Sequence, residues 1–239
     1  MNLTRILEHP ATQRARALIG QREVETLAEQ LRIVEMPAPS LQEEVRATYL
    51  MQRFREIGLE GIEQDEAGNV MAYLPGAAAA SRPPIVVASH MDTVFPAGTD
   101  LAPRHVGGRV YAPGITDNAR GLAAMLITAR TLVEAGVTIC HPICFVGTVG
   151  EEGRGDLHGV KHLFRSGGKL SRPHAFIALD GSGLRRIVHR AIGARRLRIE
   201  ISGPGGHSWS DYGTANPLHA LGRLIHAALE VPRSAQPPV

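Results

Sequence analysis

Pro84-Ile85-Val86-Val87-Ala88-Ser89-His90-Met91-Asp92-Thr93 reads as a buried strand that runs into a polar pair. The unbroken β-branched run at 85–87 matches a strand covered on both faces. Side chains two apart on a strand point the same way. His90 and Asp92 therefore stand side by side where the strand emerges. A metal-binding histidine gives one ring nitrogen to the ion and donates from the other to a carboxylate. The tripeptide has both groups; taken alone, it could equally be a polar strand end.

Upstream, residues 11–35 carry a helical pattern through Ala17, Leu18, Val24, Leu27, Leu31 and Val34, stopped by Met36-Pro37-Ala38-Pro39. Ser40 with Glu43 three residues on has capping-box spacing and predicts a second helix reaching Ile57. Short strands follow at 61–64 and 69–74, joined by a turn at 67–69. Downstream, residues 96–113 hold a small hairpin that includes Val110 and Tyr111. Asp117-Asn118-Ala119 opens a helix reaching Ala135, with Leu122, Met125, Leu126, Ala129 and Leu132 as its buried stripe. Residues 142–149 form an apolar strand ending in Gly150-Glu151-Glu152-Gly153, and 159–164 a short helix. Residues 175–179 form a strand ending in Asp180-Gly181. Apolar strands alternating with helices predict an α/β sandwich around a mixed, largely parallel sheet.

After Gly183 the texture changes. Residues 195–202 alternate, with Leu197, Ile199 and Ile201 on one face and Arg196, Arg198 and Glu200 on the other, as in a strand with one wet face. A helix follows at 216–230 with Leu218, Leu221, Leu224, Ile225 and Ala228 inward. The expected division, with its boundary near Gly193, is a main domain at 1–192, a partial second domain at 193–231, and a proline-rich, disordered tail at 232–239.

Composition narrows the function. With 44% hydrophobic and 21% charged residues, the chain of 239 can bury a sizeable core. Its net charge of +3 rests on arginine, since Lys161 and Lys169 are the only lysines. Arg185, Arg186, Arg190, Arg195, Arg196 and Arg198 cluster without interleaved aromatics, so no nucleic-acid partner is expected. There is no apolar run of 18 residues and no leader-like start, so membrane insertion and export are not expected. Cys140 and Cys144 read as reduced core thiols of a cytoplasmic protein.

His90 and Asp92, Asp117, Glu151 and Glu152, and Asp180 all fall at segment ends. In an open α/β sheet, ligands bind at the carboxyl ends of the strands. These groups are therefore expected in one cleft, where that many carboxylates need cations to neutralise them. Oxygen-rich ligation with an imidazole suits Zn²⁺, Mn²⁺ or Co²⁺.

His90-Met91-Asp92-Thr93, Gly114-Ile115-Thr116-Asp117-Asn118-Ala119-Arg120-Gly121, Glu151-Glu152-Gly153 and Asp180-Gly181, in that order, resemble the M20 family of metallopeptidases. That family includes tripeptide aminopeptidase, glutamate carboxypeptidase, acetylornithine deacetylase and succinyl-diaminopimelate desuccinylase. Gly203-Pro204-Gly205-Gly206-His207-Ser208 resembles its lid motif. The resemblance implies a three-layer, zinc-peptidase-like fold with the start of an α+β lid. It implies two divalent ions, with Zn²⁺ first and Mn²⁺ or Co²⁺ as alternatives. His90 and Asp180 would bind the first ion, Asp117 would bridge both, Glu152 would bind the second, and Asp92 would orient His90. Glu151 would be the general base for water attack on an amide carbonyl, with His207 steadying the oxyanion. The implied substrates are small peptides or N-acyl amino acids, and the lid implies a homodimer. Gly150 and Gly153 permit the bend that lets two adjacent glutamates face one cleft.

The family pattern has a further metal-binding histidine beyond the lid that this sequence lacks, so the second ion is expected to be one ligand short. The alternative reading is a metal-binding or dimerising remnant without turnover. His158 and His162 are spaced as helix ligands but lack the zincin glutamate, and read as a solvated face. His219 and His226 are the candidate substitutes for the missing ligand.

Overall fold

The computed structural model describes residues 3–76, 82–168, 170–181, 183, 187–189 and 197–231. Two compact units make up the chain, Met1–Gly183 and Leu184–Val239.

The first unit is built on a sheet of β1 (Glu60–Gln64), β2 (Val70–Leu74), β3 (Ile85–His90), β6 (Ile143–Thr148) and β7 (Ala175–Ala178), in the order β1-β2-β6-β3-β7. β1 pairs with β2, and β2 with β6, antiparallel; β3 pairs with β6 and β7 in parallel. The sheet is mixed, as expected. A hairpin of β4 (Arg104–Val106) and β5 (Arg109–Tyr111) stands apart. The helices are α1 (Leu3–Glu8), α2 (Pro10–Gln21), α3 (Glu23–Val34), α4 (Glu44–Ile57), α5 (Arg120–Glu134) and α6 (His158–Leu163).

Strand alternation sorts the apolar side chains into two cores. Val87 and Phe145 point to one face and pack with Phe54, Leu50, Leu122, Met125 and Leu126 from α4 and α5. Val86, Ala88, Cys144 and Val146 point to the other face, where Leu163 and Leu170 cover them. The central strands β3 and β6 are thus buried on both faces, while β7 at the sheet edge is exposed along its whole length.

Four local expectations need correction. The single helix expected over 11–35 is two helices, because Arg22 leaves helical geometry (φ −109°, ψ 22°). The break lets both halves lie on α5: Arg14 donates to the Ala135 carbonyl, and Arg22 bonds Glu134. Second, the Ser40–Glu43 capping box does not form, since both side chains bind elsewhere, as described below. Third, Cys140 is exposed although Cys144 is buried, and the two form no disulfide.

The fourth correction lies in the second unit. Residues 197–202 pair with no strand among the described residues, and Leu197 and Ile199 are exposed. Arg195 and Arg196, the expected boundary at Gly193 and the tail at 232–239 lie outside the described residues. Helix α7 (Pro217–Leu229) forms as the pattern predicts, with Asn216 capping the Leu218 amide at 2.8 Å. Its apolar stripe, however, is exposed at Leu218, Leu221, Leu224 and Ile225, because no other described segment covers it. No helix among the described residues is long and apolar enough to cross a membrane.

Candidate metal centre

The centre forms where β3, β6 and β7 end. β3 delivers His90, 4% exposed, with Asp92 two residues on and fully buried. His90 Nδ1 lies 3.1 Å from the Asp92 carbonyl oxygen and 3.3 Å from Oδ1. Both are acceptors, so Nδ1 carries the proton and Nε2 is turned outward. Nε2 sits 2.9 Å from Asp117 Oδ1 and 3.6 Å from Asp180 Oδ1.

Asp117 lies in an irregular turn, Ile115–Ala119, where Asp117 and Asn118 both depart from helical angles before α5 begins. The Asp117–Asn118 peptide is cis. Since α5 begins only at Arg120, Asp117 is not its cap, and its carboxylate faces His90 in the cleft. After β6 the chain turns at Gly150 (φ 56°) and Gly153 (φ 49°). A positive φ of this kind is open to glycine at little cost. The turn aims the Glu151 and Glu152 amides at Asp92, whose Oδ1 and Oδ2 accept them at 3.0 and 2.9 Å.

Two sets of groups lie close enough to share an ion: His90 with Asp117 and Asp180, and His90 with Glu151 and Glu152, each within 4.8 Å. The structure thus gathers His90, Asp92, Asp117, Glu151, Glu152 and Asp180 in one place. His207 belongs to the second unit, where its ring accepts from the Trp209 amide at 3.2 Å and its own amide donates to Asp211. His219 and His226 sit on α7 in that unit.

The charges in the cleft are not balanced by protein groups alone. Burial would lower the His90 pKa, but hydrogen bonds and charge from Asp180 and Asp92 win and raise it to about 10. Burial would raise Asp92, yet the bonds from His90, Ser40 and the two glutamate amides hold it at about 2. Glu151 is raised by burial and then by Glu152, Asp180 and Asp92, against the opposing pull of His90. Glu152 is raised by burial and then chiefly by Asp117. Asp180 is lowered by its His90 bond, with Arg120 helping. One imidazole among carboxylates, two of them pushed toward protonation, is a donor set that fits a divalent ion.

The supporting residues were not visible in the sequence. Ser40 Oγ donates to Asp92 Oδ2 at 2.6 Å and to the Glu152 carbonyl at 3.2 Å. The Glu43 carboxylate accepts from the Leu41 and Gly150 amides, each at 2.8 Å, bracing the glycine turn. Arg46, fully buried, donates to the carbonyls of Met36 and Met91. Local spacing made Ser40 and Glu43 look like a helix cap. Only the tertiary arrangement supplies the partners that outcompete it.

Comparison with known proteins agrees with this arrangement. Succinyl-diaminopimelate desuccinylase of Corynebacterium glutamicum is 28% identical over 198 residues, 81% of this chain and 51% of the relative. Among solved structures, aminopeptidase PepT from Bacillus cereus superposes with a TM-score of 0.54 at 29% identity, over 66% of this chain and 43% of that one. A Staphylococcus aureus tripeptidase gives 0.53 at 26%, with the same coverage. The chain spans about half the length of the curated relatives it matches. The model of peptidase family M20/M25/M40 matches residues 86–238, from the second residue of β3 through both units, and the chain belongs to that family.

Proposed function

We propose that the chain carries the catalytic centre of a metal-dependent hydrolase of amide bonds, acting on small peptides or N-acyl amino acids. One observation carries the reading: His90, Asp117, Glu151, Glu152 and Asp180 come from four segments to one cleft in a chain of this family. The relatives' names, desuccinylase, aminopeptidase and tripeptidase, point to the same bond type.

His90, Asp117 and Asp180 would hold one divalent ion, and Glu152 with Asp117 a second. Zn²⁺ is the favoured ion, and Mn²⁺ and Co²⁺ suit the same ligands. When bound, such ions polarise an amide carbonyl and acidify water. The protein's own share is alignment and proton handling. Asp92 fixes the His90 tautomer, and its own oxygens are filled by Ser40 and the two glutamate amides. Asp92 therefore orients, and the proton falls to Glu151. Glu151 is half-buried, and burial raises its pKa above the ordinary carboxylate value, the direction that suits a base taking a proton from water and returning it to the leaving nitrogen. His207 is the candidate donor to the oxyanion.

On this reading residues 1–192 are the catalytic domain and 193–231 the start of a lid that pairs two chains. On the same reading the protein is cytoplasmic, with Cys140 and Cys144 as thiols. A remnant that binds metal without turnover is the second reading, favoured by the uncovered apolar faces of β7 and α7.

The test is metal analysis of purified protein, then a screen of di- and tripeptides against N-acetyl and N-succinyl amino acids. Glu151→Gln is expected to keep its metal and lose hydrolysis by about 10²-fold or more. Hydrolysis retained in that variant removes Glu151 from the mechanism. Metal uptake without hydrolysis of any substrate selects the second reading.

A further inference from the structure

We propose that Asn118 is the positioning residue of the metal centre. One buried carboxamide ties together the chain neighbours of His90, Asp117 and Asp180 and so sets the spacing of those three groups. The proposal rests on the reading that these groups hold a metal.

Asn118 is fully buried. Its Nδ2 donates to Ser89 Oγ at 2.9 Å and to the Leu179 carbonyl at 2.9 Å, and its Oδ1 accepts the Gly121 amide at 3.0 Å. Ser89 Oγ also donates to the Leu179 carbonyl at 3.2 Å, closing the knot. Ser89 precedes His90, Asn118 follows Asp117, and Leu179 precedes Asp180. Each of the three candidate ligands is therefore next in the chain either to Asn118 or to a residue bonded to its amide.

The sheet alone does not do this work. The β3–β7 ladder ends at Ala88 opposite Ala178, and its last bond runs from the Leu179 amide to the Ala88 carbonyl. Past that point Asn118 takes the next carbonyl, that of Leu179, and Asp180 follows directly. The knot also leaves no room at the start of α5. A Cβ on Gly121 would lie 2.1 Å from Asn118 Oδ1, 2.4 Å from the Leu179 oxygen and 2.6 Å from Ser89 Oγ. Few side chains could replace Asn118. Aspartate brings no donor to the Leu179 carbonyl, and an apolar residue takes the acceptor from the Gly121 amide and leaves only the Ser89–Leu179 bond of the knot.

The experiment titrates the full metal-free chain with Co²⁺, followed by calorimetry and by the visible absorption of the bound ion. Asn118→Ala is expected to weaken Co²⁺ binding by about 10–100-fold and to shift the absorption bands, as loss of an outer support does. Leu126→Ala, in the core of α5, is the stability control. It should lower the melting temperature yet change Co²⁺ affinity by no more than about twofold. Wild-type affinity in Asn118→Ala, or an equal loss in Leu126→Ala, overturns the proposal. If Asn118→Ala does not fold, Ser89→Ala removes one of its acceptors and should cost about tenfold, and unchanged affinity there overturns it as well. Failure of the underlying reading shows differently. The wild-type chain then takes up no Co²⁺, or His90→Ala binds it as the wild type does, and the positioning role falls with the site.

Discussion

At the scale of single residues, the acids around His90 set its charge. His90 keeps its imidazolium to about pH 10 because Asp180 and Asp92 outweigh burial. A raised pKa means that this contribution to stability is full below pH 6.5 and is lost as pH rises through about 10. Metal uptake near neutral pH must displace the Nε2 proton. Calorimetry in buffers of different ionisation heat should show about one proton released, and affinity rising about tenfold per pH unit below pH 10. Asp92 has the opposite sign. Its folded value of about 2 lies under the ordinary 3.8, so its stabilisation is present above pH 4 and fades as pH falls toward 2. Asp92→Asn should lose on the order of 2 kcal/mol at pH 7 in urea unfolding and flatten the acid limb. The six cleft residues were legible because each ends a recognisable segment. Ser40, Glu43, Arg46 and Asn118 were not, because the bonds that tie them to the cleft span 29 to 112 residues, and the spacing of Ser40 and Glu43 signals a helix cap instead.

At the scale of elements, the strands of the first unit were the most readable part. Alternation along β3 and β6 assigns Val86 and Val87 to opposite cores, and the structure places them there. Phe54 on α4, fully buried, anchors the larger core, and Phe54→Ala should cost about 3–5 kcal/mol in chemical denaturation. Gly147 in β6 is a packing requirement that the sequence does not announce. A Cβ there would come within 2.3 Å of Leu50 Cδ2 and 2.9 Å of Met91 Sδ. Gly147→Ala should therefore destabilise by about 1–3 kcal/mol through overpacking beneath the strand end that carries His90. Helix boundaries were less legible. The periodicity of 11–35 continues through the break, since a kink at Arg22 rotates the stripe without interrupting it. In α7 the pattern correctly gave a helix but not a buried one. Amphipathicity shows which face wants cover, not whether cover is present.

At the scale of the whole chain, two cores and a mixed sheet account for the first unit, while the described residues of the second hold turns and helix α7. Among the described residues the sheet ends on one side at β7, four residues long, apolar and exposed throughout, with Ile177 48% and Phe176 37% accessible. A strand rim of this kind presents unpaired amides and carbonyls beside greasy side chains, and nothing among the described residues blunts it with lysine or proline. Concentrated samples of the 239-residue chain should scatter light increasingly with time, and Ile177→Lys should slow that growth while leaving Co²⁺ uptake unchanged. On that expectation, shelf life in solution turns on four residues at one rim, Ala175 to Ala178, whose strand edge can template the next molecule.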